Sequence, residues 1–382
     1  MERQHSNLPA DKIQLVHGGN EYFSLLKQLI NHAQDSIYLQ TYIFEEDQTG
    51  TEVANALIAA ALRQVKVFLL VDGYASNHLS TTFIKKLQEA GVNFRMFDPL
   101  LKSKYFYLGR RLHNKVVVID EKYSLVGGIN ISNRYNDMPD QLAWLDWAVY
   151  AEGEVAAHLA HVCKQRVKSP TLKTLINAKR NFVLLSNKNP ASVKINDWVR
   201  GKREITNSYL AIFRHAKKNI IIMSAYFLPN GLFRKALKRA AKRGVKVQLI
   251  LAGRSDVLIS KYAERYLYRW LLKNGIEIYE YQKSVLHGKM AVYDRIWTTV
   301  GSYNVNSISA YASIELNLAI SDGAFAQQAE ASLNKIMNND CMKITEEQIN
   351  HSSFVQHAMQ RGAYYVFRIL FFLFTFYFKQ RE

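Results

Sequence analysis

The chain has 382 residues, 48% of them apolar, enough for two ordinary domains with buried cores. Fifty Lys and Arg against 32 Asp and Glu leave a formal charge of +18, a field that attracts polyanions, whether nucleic acid or an anionic membrane surface. The two cysteines, Cys163 and Cys341, with no CxxC and no Cys-His cluster, exclude a disulfide framework and a structural zinc site.

No apolar h-region follows Met1, so no signal peptide is expected. NEYFSLLKQLINHAQDSIYLQTYIF, from Asn20, reads as a helix and then a strand. EVANALIAAALRQVKVFLLVDG, from Glu52, is an amphipathic helix feeding a β-branched strand, and after another helix GVNFRMF from Gly91 is a short strand. The second half repeats this order. SYLAIFRHAKKNIIIMSAYF starts at Ser208, GLFRKALKRAAKRGVKVQLILAG at Gly231 and GIEIYEY at Gly275. Helices alternating with apolar strands predict an α/β fold with a mixed, largely parallel sheet in each half. The basic stretch from Lys164 to Gly201 reads as the connection between halves, with a strand candidate at Phe182 to Leu185. The expected division is 1–168, 169–340, and a helical, aromatic-rich tail over 341–382.

Each half closes on the same skeleton. RRLHNKVVVIDEKYSLVGGIN, from Arg110, and LHGKMAVYDRIWTTVGSYN, from Leu286, align His113 with His287, Lys115 with Lys289, and Asp120 with Asp294. Gly127 aligns with Gly301 and Asn130 with Asn304. A lone HxK is common on protein surfaces, but five residue types at equal offsets within two matching halves are not. His and Lys two apart on a strand point to one face and reach one ligand. Lys offers a compact charge with three donors, imidazole a nucleophile or acid–base, and Asn an amide donor. That is a phosphate-binding set needing no metal. Doubled, it lets one His attack phosphorus while the other protonates the leaving oxygen. The halves must then face each other about a pseudo-twofold axis, with the site in the cleft between them. Asp120 and Asp294 complete the catalytic motif, but each sits at a strand end where it can start a turn, so a bracing role is favoured over proton transfer.

HxK(x)4D(x)6GGxN and HxK(x)4D(x)6GSxN resemble the two motifs of the phospholipase D superfamily. TYIFEEDQTG, LLVDGYAS, FRMFDP, VGGINIS, AYFLP and TVGSYNVNSIS narrow the resemblance to bacterial cardiolipin synthases, of the shorter B-type that lacks two N-terminal transmembrane helices. The resemblance runs from about Lys12 to the tail. It implies two phospholipase D-like domains and a phosphatidyltransferase without cofactor or metal. Two phosphatidylglycerols would give cardiolipin and glycerol through a phosphatidyl-histidine on His113, with His287 as acid and then base. Lys115, Lys289, Asn130 and Asn304 would bind phosphoryl oxygens. It also implies a carboxylate orienting each His, with Glu315 assigned to His287 and Asp146 to His113. Gly128 stands where the family has the Ser that Ser302 supplies in the second copy, which touches only secondary phosphate contacts.

Other features bear on the substrate. The helix after Gly231 carries Arg234, Lys235, Lys238, Arg239, Lys242 and Arg243 opposite Phe233, Ala236, Leu237 and Ala240, which reads first as a solvated charged face. Lys102, Lys104, Arg110 and Arg111 interleave with Tyr105, Phe106 and Tyr107, suiting an interfacial loop or stacked bases, with lipid favoured. Glu45, Glu46 and Asp47 fit a headgroup contact and a helix cap equally. From Ile369 to Phe378 the tail is uncharged, but ten helical residues rise only about 15 Å, too short to span a bilayer. Burial in one leaflet is expected, with Arg361 and Arg368 near lipid phosphates. The reading is therefore a peripheral or monotopic inner-membrane enzyme acting on phosphatidylglycerol at an anionic surface, with neither nucleic acid nor an obligate protein partner. A lipid hydrolase and a phosphodiesterase nuclease are the rivals within the superfamily, and a basic binding module with a decayed site is the non-enzyme rival.

Overall fold

The computed structural model describes residues 13–99, 110–167, 190–351 and 353–379, with side chains in the last helix described to Ile369. In the first half, β1 (Ile13–His17) leads into the helix Asn20–His32, whose Tyr22, Phe23, Leu26, Leu29 and Ile30 recur at helical spacing and are buried. Then come β2 (Ser36–Thr41), the helix Gln48–Leu62, β3 (Lys66–Asp72), the helix Thr81–Glu89 and β4 (Asn93–Phe97). The Asp47 and Ser80 side chains start the two helices by accepting the Gly50 and Phe83 amides. The motif region supplies β5 (Arg111–Leu112), β6 (Lys115–Ile119), β7 (Tyr123–Gly127) and β8 (Trp147–Glu152). The sheet order is β1-β8-β7-β6-β2-β3-β4, parallel across β2, β3 and β4 and antiparallel elsewhere.

The second half repeats that plan with β9 (Ala191–Asp197), β10 (Lys202–Arg203), β11 (Asn219–Ser224), β12 (Lys246–Ala252), β13 (Ile276–Tyr281), β14 (Lys289–Tyr293), β15 (Trp297–Gly301), β16 (Ser313–Ile320) and β17 (Cys341–Ile344). Its order is β10-β9-β16-β15-β14-β11-β12-β13-β17, and β5 of the first half pairs with β16. Each half has its own outer core under its helices. A third core joins the inner faces of both sheets, with Val116, Val126 and Val149 beside Met290, Val300 and Leu316. The helices Glu154–Val167 and Gly323–Asp340 contribute Leu159 and Leu333 to it. The α/β class and the paired mixed sheets are as the sequence predicts, but the sheets are largely antiparallel where largely parallel ones were expected. Within each half, parallel pairing is confined to β2-β3-β4 and β11-β12-β13, the strands joined by crossover helices, while the motif strands pair as antiparallel hairpins.

The connection differs from the expectation. Ala191–Asp197, inside the stretch read as a linker, is β9 and pairs with β16, because its alternating Ala191, Val193 and Ile195 bury on the shared core. The strand candidate at Phe182 to Leu185 lies outside the described residues. Cys341–Ile344, read as the start of the tail, extends the second sheet along β13. The helix Phe354–Lys379 does not stand free, since Ala363 and Tyr364 are buried and Tyr364 packs on Tyr266 at 4.7 Å between ring centroids. Arg361 and Arg368 lie over the rings of Tyr365 and Tyr364. The phenylalanine side chains from Phe371 onward lie outside the described ones. Among the described residues no helix is long and apolar enough to cross a membrane.

Candidate active site

The segment before each motif histidine crosses to the opposite half. The His113 amide donates to Ile314 O at 3.0 Å, beside the β5–β16 pair. The His287 and Gly288 amides both donate to Leu145 O at 2.8 Å. Ile314 precedes Glu315, and Leu145 precedes Asp146. The crossing therefore brings each carboxylate to the histidine of the other half. His113 Nδ1 meets Glu315 Oε2 at 2.9 Å, and His287 Nδ1 meets Asp146 Oδ2 at 2.6 Å. This corrects the sequence assignment, which paired Asp146 with His113 and Glu315 with His287. Both carboxylates are fully buried. Among the described residues neither histidine Nε2 has a protein hydrogen bond, so Nε2 is the atom each ring offers to a substrate.

The Gly128–Ser302 difference follows from the same geometry. A Cβ on Gly128 would lie 2.5 Å from Asp146 Oδ1, so the first copy has no room for a side chain there. In the second copy the Ser302 hydroxyl donates to Glu315 Oε2 and accepts the Leu316 amide. Ser302 thus braces a carboxylate, where a phosphate contact was expected.

Lys115 and Lys289 are almost fully buried, and each ammonium donates to the carbonyl of its own motif histidine, Lys115 at 2.6 Å. Lys289 Nζ also lies 2.8 Å from His287 Nδ1. Burial, then repulsion from Lys289, lowers Lys115 to about 7, and burial lowers Lys289 to about 8. Burial and then Lys289 push His287 down to about 3, and burial lowers His113 as well. Burial alone would oppose ionisation of Asp146, but Lys289 and the bond from His287 hold its carboxyl below the usual range. Burial is the main cause of the lysine shifts, with repulsion between the lysines second at Lys115, and a phosphodiester anion beside the lysines would offset that repulsion.

The two asparagines are unequal. Asn130 Oδ1 accepts the Ile43 amide and Nδ2 donates to Tyr135 OH, leaving one amide hydrogen. Asn304 Oδ1 is buried without a partner, and no protein group engages its Nδ2 among the described residues, so its amide can turn to a ligand. Asp120 and Asp294 stand at the far ends of β6 and β14 and do not join the site. Asp120 accepts the Gln34, Asp35 and Ser36 amides, and Asp294 those of Lys217, Lys218 and Asn219. Each also opens a tight hairpin in the left-handed region. Both carboxylates thus tie the ends of the motif strands to the turns before β2 and β11.

Three aromatics escaped the sequence reading. Tyr42 packs against His113 at 4.9 Å and under Lys115 at 5.1 Å, Tyr135 packs against His287 at 5.0 Å, and Trp144 lies 6.0 Å from it. Tyr42 directly follows a buried strand, the one local signal available. The flanking charges are structural ties: Arg110 pairs with Asp197, Arg111 with Asp98, and Glu45 with Arg134, while Asp47 caps its helix. Residues 102 to 107 lie outside the described ones. Among the described residues no group of three or more His, Cys, Asp or Glu side chains could hold a metal ion.

Residues 26–164 and 209–337 match the family model described as cardiolipin synthase, PLD-like domain. The chain belongs to the cardiolipin synthase family of phospholipase D-like enzymes. It is 36% identical over 350 residues to cardiolipin synthase B of Salmonella typhimurium, covering 89% of this chain and 83% of that one. It is 34% identical over 345 residues to cardiolipin synthase B of Escherichia coli K12, covering 88% and 83%. Among solved structures it is similar to phosphatidylserine synthase from Haemophilus influenzae, with a TM-score of 0.73 at 15% identity, covering 95% of this chain and 94% of that one. That likeness shows the fold. As in the family at large the enzyme is of phosphatidyltransferase type, and both matched blocks contain a complete HxK motif.

Proposed function

We propose that this protein synthesises cardiolipin from two phosphatidylglycerols, releasing glycerol. His113 Nε2 attacks the phosphorus of the first lipid, forming a P–N bond as the P–O bond to glycerol breaks. His287 gives its proton to the departing oxygen, then takes the proton from a hydroxyl of the second lipid. That oxygen attacks phosphorus, the P–N bond breaks, and His113 is released. The observation that supports this is the doubled His–carboxylate pair across the halves, which fixes the Nδ1–H tautomer and leaves two nucleophilic or acidic Nε2 atoms for one phosphate. Lys115, Lys289 and the free amide of Asn304 would hold the non-bridging oxygens as charge builds. Burial and Lys289 hold His287 neutral, and a bound anion that offsets the ammonium charge favours its protonation.

Peripheral placement on the inner membrane is part of the proposal. Val257, Leu258 and Ile259, with Phe354, Val355, Val366 and Ile369 of the last helix, expose apolar side chains that suit a lipid surface better than a nucleic acid. The test uses purified protein, labelled phosphatidylglycerol in mixed micelles and EDTA throughout. Cardiolipin from wild type, and at least about 10³-fold less from His113→Ala and His287→Ala, is the expected outcome. Phosphatidic acid alone would make the enzyme a hydrolase. No lipid turnover, with cleavage of a nucleic-acid phosphodiester, would overturn the lipid reading.

A further inference from the structure

The two halves depart from their repeat at one place beside the motif lysine of the second half. Ser76, four residues past the end of β3, accepts the Phe44 amide and donates to Tyr42 O. Asp256, four residues past the end of β12, is its counterpart, but in the second half Glu264 accepts the matching amide, that of Phe227, at 3.0 Å. Asp256 is therefore released from bracing. It is exposed, and its one hydrogen bond among the described residues comes from Tyr226 OH at 2.5 Å. Arg254, on the same turn, is also exposed and has no hydrogen bond or ion pair among the described residues. This turn stands at the active end of the sheet: β11 and β12 are parallel, Ser224 at the end of β11 is the ladder partner of Lys289, and Tyr226 follows two residues on. The Asp256 charge is also felt at Lys289.

A free carboxylate beside a phosphate-binding pair of lysines repels the phosphate. It suits a group that donates hydrogen bonds, and a glycerol headgroup carries two adjacent hydroxyls. We propose that Asp256 with Tyr226 forms the headgroup subsite, reading a glycerol diol, and that Arg254 takes the phosphodiester of the acceptor lipid. The assignment rests on the cardiolipin reading. With His113 as nucleophile, the leaving glycerol and the entering lipid hydroxyl occupy the same side of phosphorus, opposite His113 and beside His287. Asp256 belongs to the half that carries His287. Departing and entering polyols meet the same carboxylate: the departing glycerol offers it two hydroxyls, an entering glycerol two and an entering phosphatidylglycerol one beyond the hydroxyl that reacts at His287, whereas a simple alcohol offers none.

The test is acceptor competition with phosphatidylglycerol as donor. Labelled glycerol and 1-propanol compete in one reaction, and the ratio of phosphatidylglycerol to phosphatidylpropanol formed is read for wild type, Asp256→Ala, Asp256→Asn and Tyr226→Phe. The ratio falls on the order of ten- to a hundredfold in Asp256→Ala, and less in Asp256→Asn and Tyr226→Phe. In Arg254→Ala the ratio holds, while cardiolipin falls relative to glycerol exchange, because only the lipid acceptor carries a phosphate. A ratio in Asp256→Ala within twofold of wild type, or two products falling in proportion, overturns the subsite and leaves the synthase reading standing. A wild-type protein that transfers no phosphatidyl group to any alcohol overturns both.

Discussion

At the residue scale, the two buried lysines set the electrostatics of the site. Lys115 has a folded pKa near 7, against about 10.4 for a free lysine. Between those values the unfolded chain holds a proton that the folded chain has lost, so this group makes stability rise with pH through that window. Below pH 7 both states hold the proton, and the folded protein bears the whole cost of a buried cation. Lys115→Met should therefore raise the melting temperature at pH 6, by several degrees or so, and by much less at pH 10, while abolishing turnover. Differential scanning across that range checks it, and an equal gain at both pH values would show that buried charge is not the cause. The carboxylates make a second prediction. Glu315→Gln leaves His113 in place without its counter-charge, so formation of the phosphatidyl-enzyme should slow by about 10²- to 10⁴-fold. Asp146→Asn should act on proton delivery by His287. A rapid acid quench on radiolabelled lipid, with the labelled peptide mapped, separates the two. Label on the His287 peptide would reverse the assigned roles.

At the element scale, the motif strands are anchored at both ends. One end crosses to the other half, and at the other the Asp120 or Asp294 carboxylate gathers three backbone amides from the turn before β2 or β11. Removing such an acceptor leaves donors short of partners, so Asp120→Ala should cost about 1–3 kcal/mol of stability, with kcat per folded molecule near wild type. Denaturant melts and active-site-normalised rates check this; lost kcat at unchanged stability would restore a role in proton transfer. The place of these residues at strand ends was legible in the sequence, since an Asp there is a turn former. The strand and helix order was legible too, because 3.6- and 2-residue periodicity is local. The pairing of histidines with carboxylates was not. Asp146 and Glu315 are true counterparts, but which histidine each serves depends on Leu145 and Ile314 pairing with His287 and His113 of the opposite half, contacts between residues 142 and 201 positions apart in the chain. Tyr42, Tyr135 and Trp144 were missed for a related reason: an aromatic with no periodic partner looks like core until the histidine beside it is placed.

At the scale of the whole molecule, the interlocked halves complete the site within one chain, and the remaining question is how a lipid reaches it. The turn that carries Asp256 continues into Val257, Leu258 and Ile259, and the helix beginning at Leu258 is the one against which the last helix packs through Tyr266 and Tyr364. Leu258 is 69% exposed and Ile369 58%, so neither contributes much to the folded core. If this face meets the bilayer, each side chain gains on binding what it forgoes in water, about 1.5–3 kcal/mol when fully buried. The +18 charge adds an attraction to anionic headgroups that salt screens. Leu258→Glu combined with Ile369→Glu should then lower co-sedimentation with phosphatidylglycerol vesicles by about tenfold or more. The melting temperature should be unchanged, and turnover of a dispersed short-chain substrate should persist. Wild-type binding should weaken in 1 M salt without vanishing, because the apolar part does not depend on ionic strength. Vesicle binding that survives both glutamates but disappears in salt would assign membrane attachment to charge alone and remove this face from the account.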